Sequence, residues 1–463
     1  MRGDRDLPRV EAMTARVIVI GGDAAGMTAA SALRKALDDV EIVVLERGHH
    51  TSYSACGVPY WIAGEVESED ELVARTPEEH RERGIDVRLG RTVTAVDPRE
   101  RVVTYTDDEG EHRLGYDRLL LATGARSAMP DLPHHDAPGI HAIKDLVDGR
   151  QVLDALERGP RTAVVVGSGY IGIEMAEALV ARGLDVTVLE RDSTPLPIVE
   201  DEIGEVITSA MRERGVHLHC GAEVAGFTVG DDGRVSGVRT EDDEFPADLV
   251  VAALGVAPRS ELLDVEKGPK DGIVTDDQQR VRSLEHVWAA GDVVVLRDRL
   301  TGAPKHLPLG THANKQGMVA GESIAATLGA DWSGRVFEGA VQTAITKFCD
   351  LEIARCGIGR ADAEEAGLDV VTATIESTTR AGYYPGAEPL TMWGLAERGT
   401  RRLLGVQVVG GLSAGSRIDA AATALWHGAT VDDVVMSDLS YAPPFSSVWS
   451  PVQVLARALA KQL

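Results

Sequence analysis

The amino-acid sequence predicts an α/β protein with two parallel-sheet domains followed by a third, α+β domain. Two observations support this prediction. A buried strand, a glycine turn, a helix and a second strand that ends in an acid occur in this order twice, starting at Val17 and at Arg161. From about Val336 onward, the pattern changes to strands and helices without such a turn. Because each repeat has the form of a βαβ unit, we expect two Rossmann-like domains.

The elements of the two repeats can be placed along the chain. The first repeat consists of strand 17–20, turn 21–26, helix 27–37 and strand 41–46, and the second of strand 161–166, turn 167–172, helix 173–182 and strand 184–190. A later strand, 287–292, indicates that the chain returns to the first domain. We therefore expect a disordered extension at 1–13, a discontinuous first domain at 14–145 and 262–335, a second domain at 146–261 and a third at 336–463.

Length, composition and charge restrict the function. With 463 residues, of which 44% are hydrophobic, the chain can bury large cores. Its net charge of -26 repels a phosphate backbone and an anionic membrane surface, which argues against nucleic acid or membrane partners. The sequence has no apolar stretch of about 20 residues that could span a bilayer.

The start of the chain and its cysteines indicate a cytoplasmic protein. Residues 1–13 are rich in charge and lack the apolar core of a signal peptide. We expect them to carry no function, with either Met1 or Met13 as the true start. The four cysteines have no paired spacing, which fits a reducing cytoplasm rather than a disulfide framework.

The second glycine turn, Gly167-Ser168-Gly169-Tyr170-Ile171-Gly172, is typical of a dinucleotide site. It follows an apolar strand and opens a helix, so its backbone can approach a pyrophosphate at the helix N-terminus. Glu190 ends the next strand, where an acid accepts hydrogen bonds from a ribose and repels a 2'-phosphate. That arrangement favours NADH, although Arg191 can accommodate the phosphate of NADPH. A glycine turn that served packing alone would not explain the terminal acid.

The first glycine turn, 21–26, departs from this pattern because Asp23 occupies the place of the second glycine. A carboxylate near a pyrophosphate is electrostatically unfavourable, so Asp23 must point away or the local geometry must differ. Glu46 still has the spacing for a ribose contact. The pair Gly291-Asp292 resembles the flavoprotein motif whose Asp binds the ribityl chain of FAD.

Cys56 is the candidate nucleophile, because no second cysteine follows before Cys220. A dithiol reductase needs a neighbouring cysteine to close an internal disulfide, so the redox partner of this chain must be a small molecule. Pro59 is tolerated in the first turn of a helix, which predicts a helix start near Cys56 and a lowered pKa of its thiol. The alternative is that Cys56 is a buried small hydrophobic residue.

The remaining cysteines and two aromatic segments have simpler interpretations. Cys220, Cys349 and Cys356 lie in or beside apolar runs and are expected to be inert core residues; with the histidines they form no metal site. The segments 383–386 and 441–445 are aromatic and rich in proline, and by themselves they indicate turns packed against a core.

Together these features resemble the single-cysteine pyridine nucleotide-disulfide oxidoreductase family, most closely its coenzyme A-disulfide reductases. The resemblance covers about residues 15–463. It lies in several motifs that occur in the family's order: 52–60, 122–124, 289–292, 383–386 and 441–445.

The resemblance implies an FAD-dependent NAD(P)H disulfide reductase that forms homodimers through its third domain. FAD would bind the first domain and NADH or NADPH the second, while Cys56 would form a mixed disulfide with coenzyme A. Tyr441, with Tyr383 or Tyr384, would act as a general acid in the site of the other subunit. The implied cofactor contacts are Gly21, Gly22, Ala25, Gly26, Glu46, Arg47, Ser52, Val93, Ala122, Thr123, Gly124, Gly167, Gly169, Tyr170, Ile171, Gly172, Glu190, Gly255, Gly291, Asp292 and Ala313.

The substrate is less closely determined by the resemblance. Thr28, Lys35 and Ser52 match positions at which the family contacts coenzyme A. Three others, Ala32, Ala55 and Trp449, stand where the family has polar or basic residues. The substrate is therefore coenzyme A disulfide, a persulfide, a polysulfide or another low-molecular-weight disulfide.

Two alternatives have the same fold. In an NADH oxidase or peroxidase the lone cysteine cycles through a sulfenic acid. Those enzymes usually carry a histidine where this sequence has Ala24, which argues against peroxide chemistry. A flavin-bound redox sensor is the other alternative, and the complete second glycine turn argues against it.

Overall fold

A computed structural model describes residues 14–463 of the chain. The extension expected at 1–13 lies outside the described residues. The helices are α1 (Ala24–Ala36), α2 (Val58–Ala63), α3 (Pro77–Glu82), α4 (Leu146–Leu156), α5 (Tyr170–Ala181), α6 (Asp201–Glu213), α7 (Gly310–Thr327), α8 (Arg360–Glu365), α9 (Ile418–Trp426), α10 (Val431–Met436) and α11 (Pro451–Ala460).

Within residues 14–463, the strands form three five-stranded sheets and four smaller ones. They are β1 (Ala15–Ile20), β2 (Val40–Leu45), β3 (Asp86–Arg88), β4 (Thr92–Asp97), β5 (Val102–Asp107), β6 (Gly110–Gly115), β7 (Arg118–Leu121), β8 (Ala125–Ser127), β9 (Ile140–His141), β10 (Thr162–Val166), β11 (Asp185–Glu190), β12 (His217–Cys220), β13 (Val224–Val229), β14 (Val235–Thr240), β15 (Glu244–Pro246), β16 (Leu249–Ala252), β17 (Val256–Pro258), β18 (Val287–Ala289), β19 (Leu296–Arg297), β20 (Pro304–Lys305), β21 (Ala344–Phe348), β22 (Leu351–Gly357), β23 (Val370–Thr378), β24 (Pro389–Glu397) and β25 (Leu403–Gly410).

The first two large sheets are parallel. The first has the strand order β18-β7-β1-β2-β3, and the second has the order β12-β11-β10-β16-β9. Strand β18 therefore joins the first sheet, although the whole second sheet precedes it in the chain. Strand β9 lies in the second sheet, although it precedes the boundary expected at residue 145.

The third large sheet, β21-β22-β25-β24-β23, is antiparallel and packs against α9, α10 and α11. Two parallel sheets with crossover helices and one antiparallel sheet with helices confirm the predicted fold class. The central strands are buried on both faces, which is why their sequences are nearly continuous runs of Val, Ile and Leu.

The helices of both repeats begin earlier than the sequence predicts. Helix α1 starts at Ala24 rather than at residue 27, and α5 starts at Tyr170 rather than at residue 173. The reason is that the last residues of each glycine turn already form the first helical turn. A Cβ at Gly26 would lie 1.9 Å from the Gly21 carbonyl oxygen, and one at Gly172 would lie 2.1 Å from that of Gly167. Only glycine permits this close approach of helix and turn.

We expect Gly172→Ala to destabilise the protein by about 1–3 kcal/mol, because its methyl group overlaps the Gly167 carbonyl. The measurement is the midpoint of urea unfolding. Gly169→Ala is the matched control: Gly169 has a φ of -64° and no atom within 4 Å of the added carbon. Equal midpoints for the two variants would contradict this account of the turn.

Candidate active site

A cavity of about 590 Å³ opens at the carboxyl ends of the strands of the first sheet. Ligands of open α/β sheets bind at this edge. The cavity brings together residues from eight segments that are distant in the sequence. Of the predicted site residues, it is lined by Gly21, Gly22, Ala25, Glu46, Arg47, Cys56, Val93, Ala122, Thr123, Gly124, Gly291, Asp292 and Ala313.

The glycine turn of this cavity is held by the carboxylate of Glu46. One oxygen accepts the Gly22 backbone N–H at 2.7 Å and the other accepts the Gly48 N–H at 2.7 Å. The second repeat has the same arrangement. The buried Glu190 accepts the backbone N–H groups of Ser168 at 2.8 Å and of Asp192 at 3.0 Å. The two acids predicted as ribose contacts therefore also fix the two turns.

The second repeat differs from the first in one hydrogen bond. The Ser168 hydroxyl donates to Glu190 at 2.6 Å, whereas the equivalent position in the first turn is Gly22. Glu190 thus accepts three hydrogen bonds and has little capacity left for a ribose. Next to it, the Arg191 side chain is largely exposed and has a carboxylate of Asp192 at 3.7 Å. Gly255 is exposed near this turn, and Tyr170 and Ile171 are half-buried at the start of α5.

Asp23 turns its carboxylate toward the loop that carries Cys56. It accepts the Tyr53 backbone N–H at 3.3 Å. Burial raises its pKa to about 6, and the nearby Glu46 carboxylate contributes in the same direction. The two turns have the same backbone arrangement, since Asp23 precedes α1 in an extended conformation as Gly169 precedes α5, and only the Asp23 side chain adds a contact to the Cys56 loop.

The Cys56 loop is attached to the glycine turn by further hydrogen bonds. The Gly22 carbonyl accepts the Thr51 hydroxyl at 2.5 Å and the Ser52 backbone N–H at 3.1 Å. These contacts place Cys56 on the cavity wall, where its side chain is exposed and makes no disulfide. The thiol is therefore accessible from the cavity.

The predicted lowering of the Cys56 pKa is wrong for this chain. Burial, followed by the Glu174 carboxylate, raises the pKa of the thiol, while Lys144 lowers it. Helix α2 begins at Val58 and has six residues, with Cys56 in a 3-10 turn before it. The field of a helix terminus falls off within one turn, so partial desolvation outweighs it.

Sequence reasoning missed one ion pair in this cavity. The Lys144 ammonium lies 2.8 Å from the Asp292 carboxylate, and both side chains are largely buried. The two residues are separated by 148 positions, and no local pattern marks Lys144 as a partner of the Gly-Asp pair. Arg91, Arg259 and Asn314 also line the cavity and were not predicted.

Several predicted site residues lie elsewhere. Ser52 has a φ of 52° and its hydroxyl contacts the ring of the buried His80 at 2.9 Å, so it does not line the cavity. Gly26 allows α1 to pack closely against the glycine turn, and it does not line the cavity. Thr28 donates to Asn314 at 2.9 Å, and Lys35 is exposed at the end of α1.

The three predicted tyrosines lie on the third domain, away from the cavity of their own chain. Tyr383 is 78% exposed and Tyr441 is 46% exposed, while Tyr384 is half-buried. Loss of hydration, followed by the neighbouring Tyr441, raises the pKa of the Tyr383 phenol. None of the three lines the cavity that contains Cys56.

Two family models match the chain. The pyridine nucleotide-disulphide oxidoreductase model matches residues 15–317, and the dimerisation domain of the same family matches residues 343–451. The chain belongs to the pyridine nucleotide-disulphide oxidoreductase family.

Individual relatives are similar over almost the whole chain. The NAD(P)H coenzyme A polysulfide/persulfide reductase of Pyrococcus horikoshii is 36% identical and covers 97% of this chain and 99% of its own. An NADH oxidase of Methanocaldococcus jannaschii is 33% identical, with the same two coverages. The structure of an NAD-dependent persulfide reductase from A. fulgidus has a TM-score of 0.92 at 35% identity and covers 96% of this chain and 83% of its own.

These relatives assign the protein to the NAD(P)H-dependent FAD oxidoreductases of the coenzyme A disulfide/persulfide reductase and NADH oxidase group. The cavity fits FAD, because a glycine turn that leads into α1 lies on its wall and the carboxylate of Asp292 follows β18. Between residues 14 and 463, no group of three or more His, Cys, Asp or Glu side chains is arranged to hold a metal ion. In the same range, none of the helices has the length and apolar character that a membrane crossing requires.

Asp23→Asn should stabilise the protein at pH 8, because the folded state holds this carboxyl at a pKa of about 6 against 3.8 in the unfolded chain. Above pH 6 the charged form costs stability, so the gain is about 1–3 kcal/mol there. It should shrink as the pH falls through 6 and vanish below 3.8. Thermal unfolding of both proteins across this range measures it, and a gain that is independent of pH would contradict the assignment.

Proposed function

We propose that this protein uses NADH or NADPH to reduce coenzyme A disulfide, or a related low-molecular-weight disulfide or persulfide, through Cys56. The observation that carries the proposal is the exposed Cys56 thiol on the wall of the cavity that fits FAD. The other free cysteines of the described residues, Cys220, Cys349 and Cys356, do not line that cavity. A single accessible thiol requires an external sulfur compound as its partner.

The proposed cycle needs two steps at Cys56. Its thiolate attacks one sulfur of the substrate disulfide, which forms a mixed disulfide and releases the first thiol. FAD, when bound, would supply two electrons that originate as hydride from NAD(P)H. Reductive cleavage of the mixed disulfide would restore the Cys56 thiolate and release the second sulfur as a thiolate, which takes up a proton to become the second thiol. The balance is one disulfide, one NAD(P)H and one proton for two thiols.

The proposed cofactor contacts follow the two repeats. The turn at Gly21–Gly22 and the carboxylates of Glu46 and Asp292 would hold FAD, as would the other predicted residues that line the cavity. The turn around Gly167 and the start of α5 would hold the nicotinamide cofactor. The hydrogen bonds that occupy Glu190, together with the exposed Arg191, support the use of both NADH and NADPH.

A second copy of the chain is the proposed source of the general acid. The third domain matches the family's dimerisation model and exposes a set of large apolar side chains. They are Tyr383, Leu412, Met436, Tyr441, Phe445, Val448 and Trp449. Large apolar side chains that remain exposed in one domain indicate an interaction surface. In a homodimer, Tyr441 with Tyr383 or Tyr384 would reach the other subunit's cavity and protonate the leaving thiolate.

Oxygen reduction is the second candidate function. A relative of 33% identity is named an NADH oxidase, and Cys56 is accessible enough to be oxidised to a sulfenic acid. Ala24, which lines the cavity, leaves no histidine at that position to assist peroxide chemistry. The two functions are distinguished by comparing NADH consumption with coenzyme A disulfide under argon and with oxygen alone.

Replacement of Cys56 by Ser should leave FAD bound and lower the rate of disulfide reduction by at least about a thousandfold, because the hydroxyl cannot form the mixed disulfide. Flavin reduction by NADH, followed by stopped-flow absorbance, should be unchanged. Cys220→Ser serves as the control and should keep its activity. A Cys56→Ser enzyme that still reduces the disulfide refutes the proposal.

Tyr441→Phe should slow turnover on the order of 100-fold, since a general acid is lost. Flavin reduction by NADH should hardly change, because this step precedes thiol release. Steady-state and stopped-flow rates measure the two quantities separately. Tyr105→Phe, in the first domain and outside the cavity, controls for the loss of a phenol. An unchanged turnover rate would remove Tyr441 from the mechanism.

A further inference from the structure

The charges around Cys56 come from four different segments of the chain. Asp23 belongs to the glycine turn, Asp292 follows β18, Glu174 lies on α5 and Lys144 precedes α4. Asp23, Lys144 and Asp292 line the same cavity as Cys56, whereas Glu174 acts from α5 outside its lining. Because a thiolate is itself an anion, the carboxylates disfavour it and the ammonium favours it.

Helix packing brings Lys144 and Glu174 to the same thiol. Cys56 stands directly before α2, which packs against both α4 and α5. On the side of α4, Gly149 lies so close that a Cβ would be 2.7 Å from the Val58 side chain. On the side of α5, Arg182 donates to the Ile62 carbonyl at 2.5 Å. The two helices that border α2 thus hold a cation and an anion near its beginning.

Both charged side chains have fixed positions. The Lys144 backbone N–H donates to Asp148 at 2.8 Å within the cap of α4, and its ammonium lies 2.8 Å from Asp292. The Glu174 carboxylate accepts the hydroxyl of the buried Thr346, on β21, at 2.8 Å. Neither charge depends on a flexible surface side chain, so each acts on the thiol from a defined place.

We propose that Lys144 is a positioning residue that stabilises the Cys56 thiolate and that Glu174 opposes it. This inference rests on the proposed role of Cys56 as the nucleophile. Removal of the cation leaves the thiol among carboxylates and shifts it toward the unreactive protonated form. Removal of the Glu174 charge has the opposite effect.

Glu174 and Lys144 shift the pKa of Cys56 in opposite directions because their charges are opposite. Glu174 has a pKa of about 6, raised by its own burial, so it is an anion at neutral pH and raises the pKa of Cys56. Lys144 lowers the pKa of Cys56. A substitution that only loosened the fold would not shift the pKa of Cys56 in opposite directions for the removal of a cation and of an anion.

The test is the rate at which iodoacetamide alkylates Cys56 in the FAD-loaded protein between pH 5 and pH 10. Mass spectrometry of the Cys56 peptide separates it from the other cysteines. We expect Lys144→Gln to slow alkylation at pH 7 by about tenfold, because the rate follows the thiolate fraction. Lys144→Arg should restore it, and Glu174→Gln should accelerate it above that of the unaltered protein.

Lys305→Gln is the matched control for the lost ion pair. The Lys305 ammonium lies 2.6 Å from Asp362, its side chain is 28% exposed against 29% for Lys144, and it does not line the cavity. Cys56 in the Lys305→Gln variant should be alkylated at the same rate as in the unaltered protein. A Lys144→Gln rate equal to that of this control overturns the inference.

If Lys144→Gln does not retain FAD, Glu174→Gln alone tests whether nearby charges set the reactivity of Cys56. An unchanged or slower alkylation of Cys56 in the Glu174→Gln variant overturns the inference. Failure here is distinct from failure of the proposed function. If neither Lys144→Gln nor Glu174→Gln changes the alkylation rate, but disulfide reduction still requires Cys56, only the proposed role of Lys144 and Glu174 is refuted. Disulfide reduction that survives Cys56→Ser removes the proposed function itself.

Discussion

The rest of the site depends on the hydrogen bonds between the glycine turn of each repeat and the carboxylate at the end of its second strand. Glu46 and Glu190 each accept two backbone N–H groups, one from the glycine turn and one from the residue two positions after the acid. A charge-assisted pair of this kind ties the strand end to the turn. The turn leads directly into the helix. In the first repeat, the Gly22 carbonyl of the turn also accepts hydrogen bonds from Thr51 and Ser52 of the Cys56 loop.

Burial and nearby charges, rather than the short helix α2, determine the direction of the pKa shift of the Cys56 thiol. The chain is strongly acidic, and the carboxylates of Glu174, Asp292 and Asp23 act on the thiol together with its partial desolvation. Both influences favour the protonated thiol, and a nearby cation opposes them. The ion pair of Lys144 with Asp292 places that cation at the cavity wall and at the same time reduces the repulsion between Asp292 and the other acids.

The third domain connects to this site in two ways. Within the chain, Thr346 and Lys347 on β21 contact Glu174 and Glu177 on α5, so the antiparallel sheet supports the helix that follows the second glycine turn. At its outer surface the domain exposes aromatic side chains that have no role in its own core. One chain therefore holds the Cys56 thiol and both proposed cofactor sites, and the proposed homodimer would add the proton donor.

The two repeats, their glycine turns, the terminal acids and the lone Cys56 are all determined by the sequence alone, because periodicity and spacing are local properties. Only the tertiary structure decided three further features: the pairing of Lys144 with Asp292, the contact of Ser52 with His80, and the raised rather than lowered pKa of Cys56. Each of these depends on segments that are distant in the chain and on burial. Local patterns cannot reveal them, since a charge acts through space and desolvation arises only when the helices have packed.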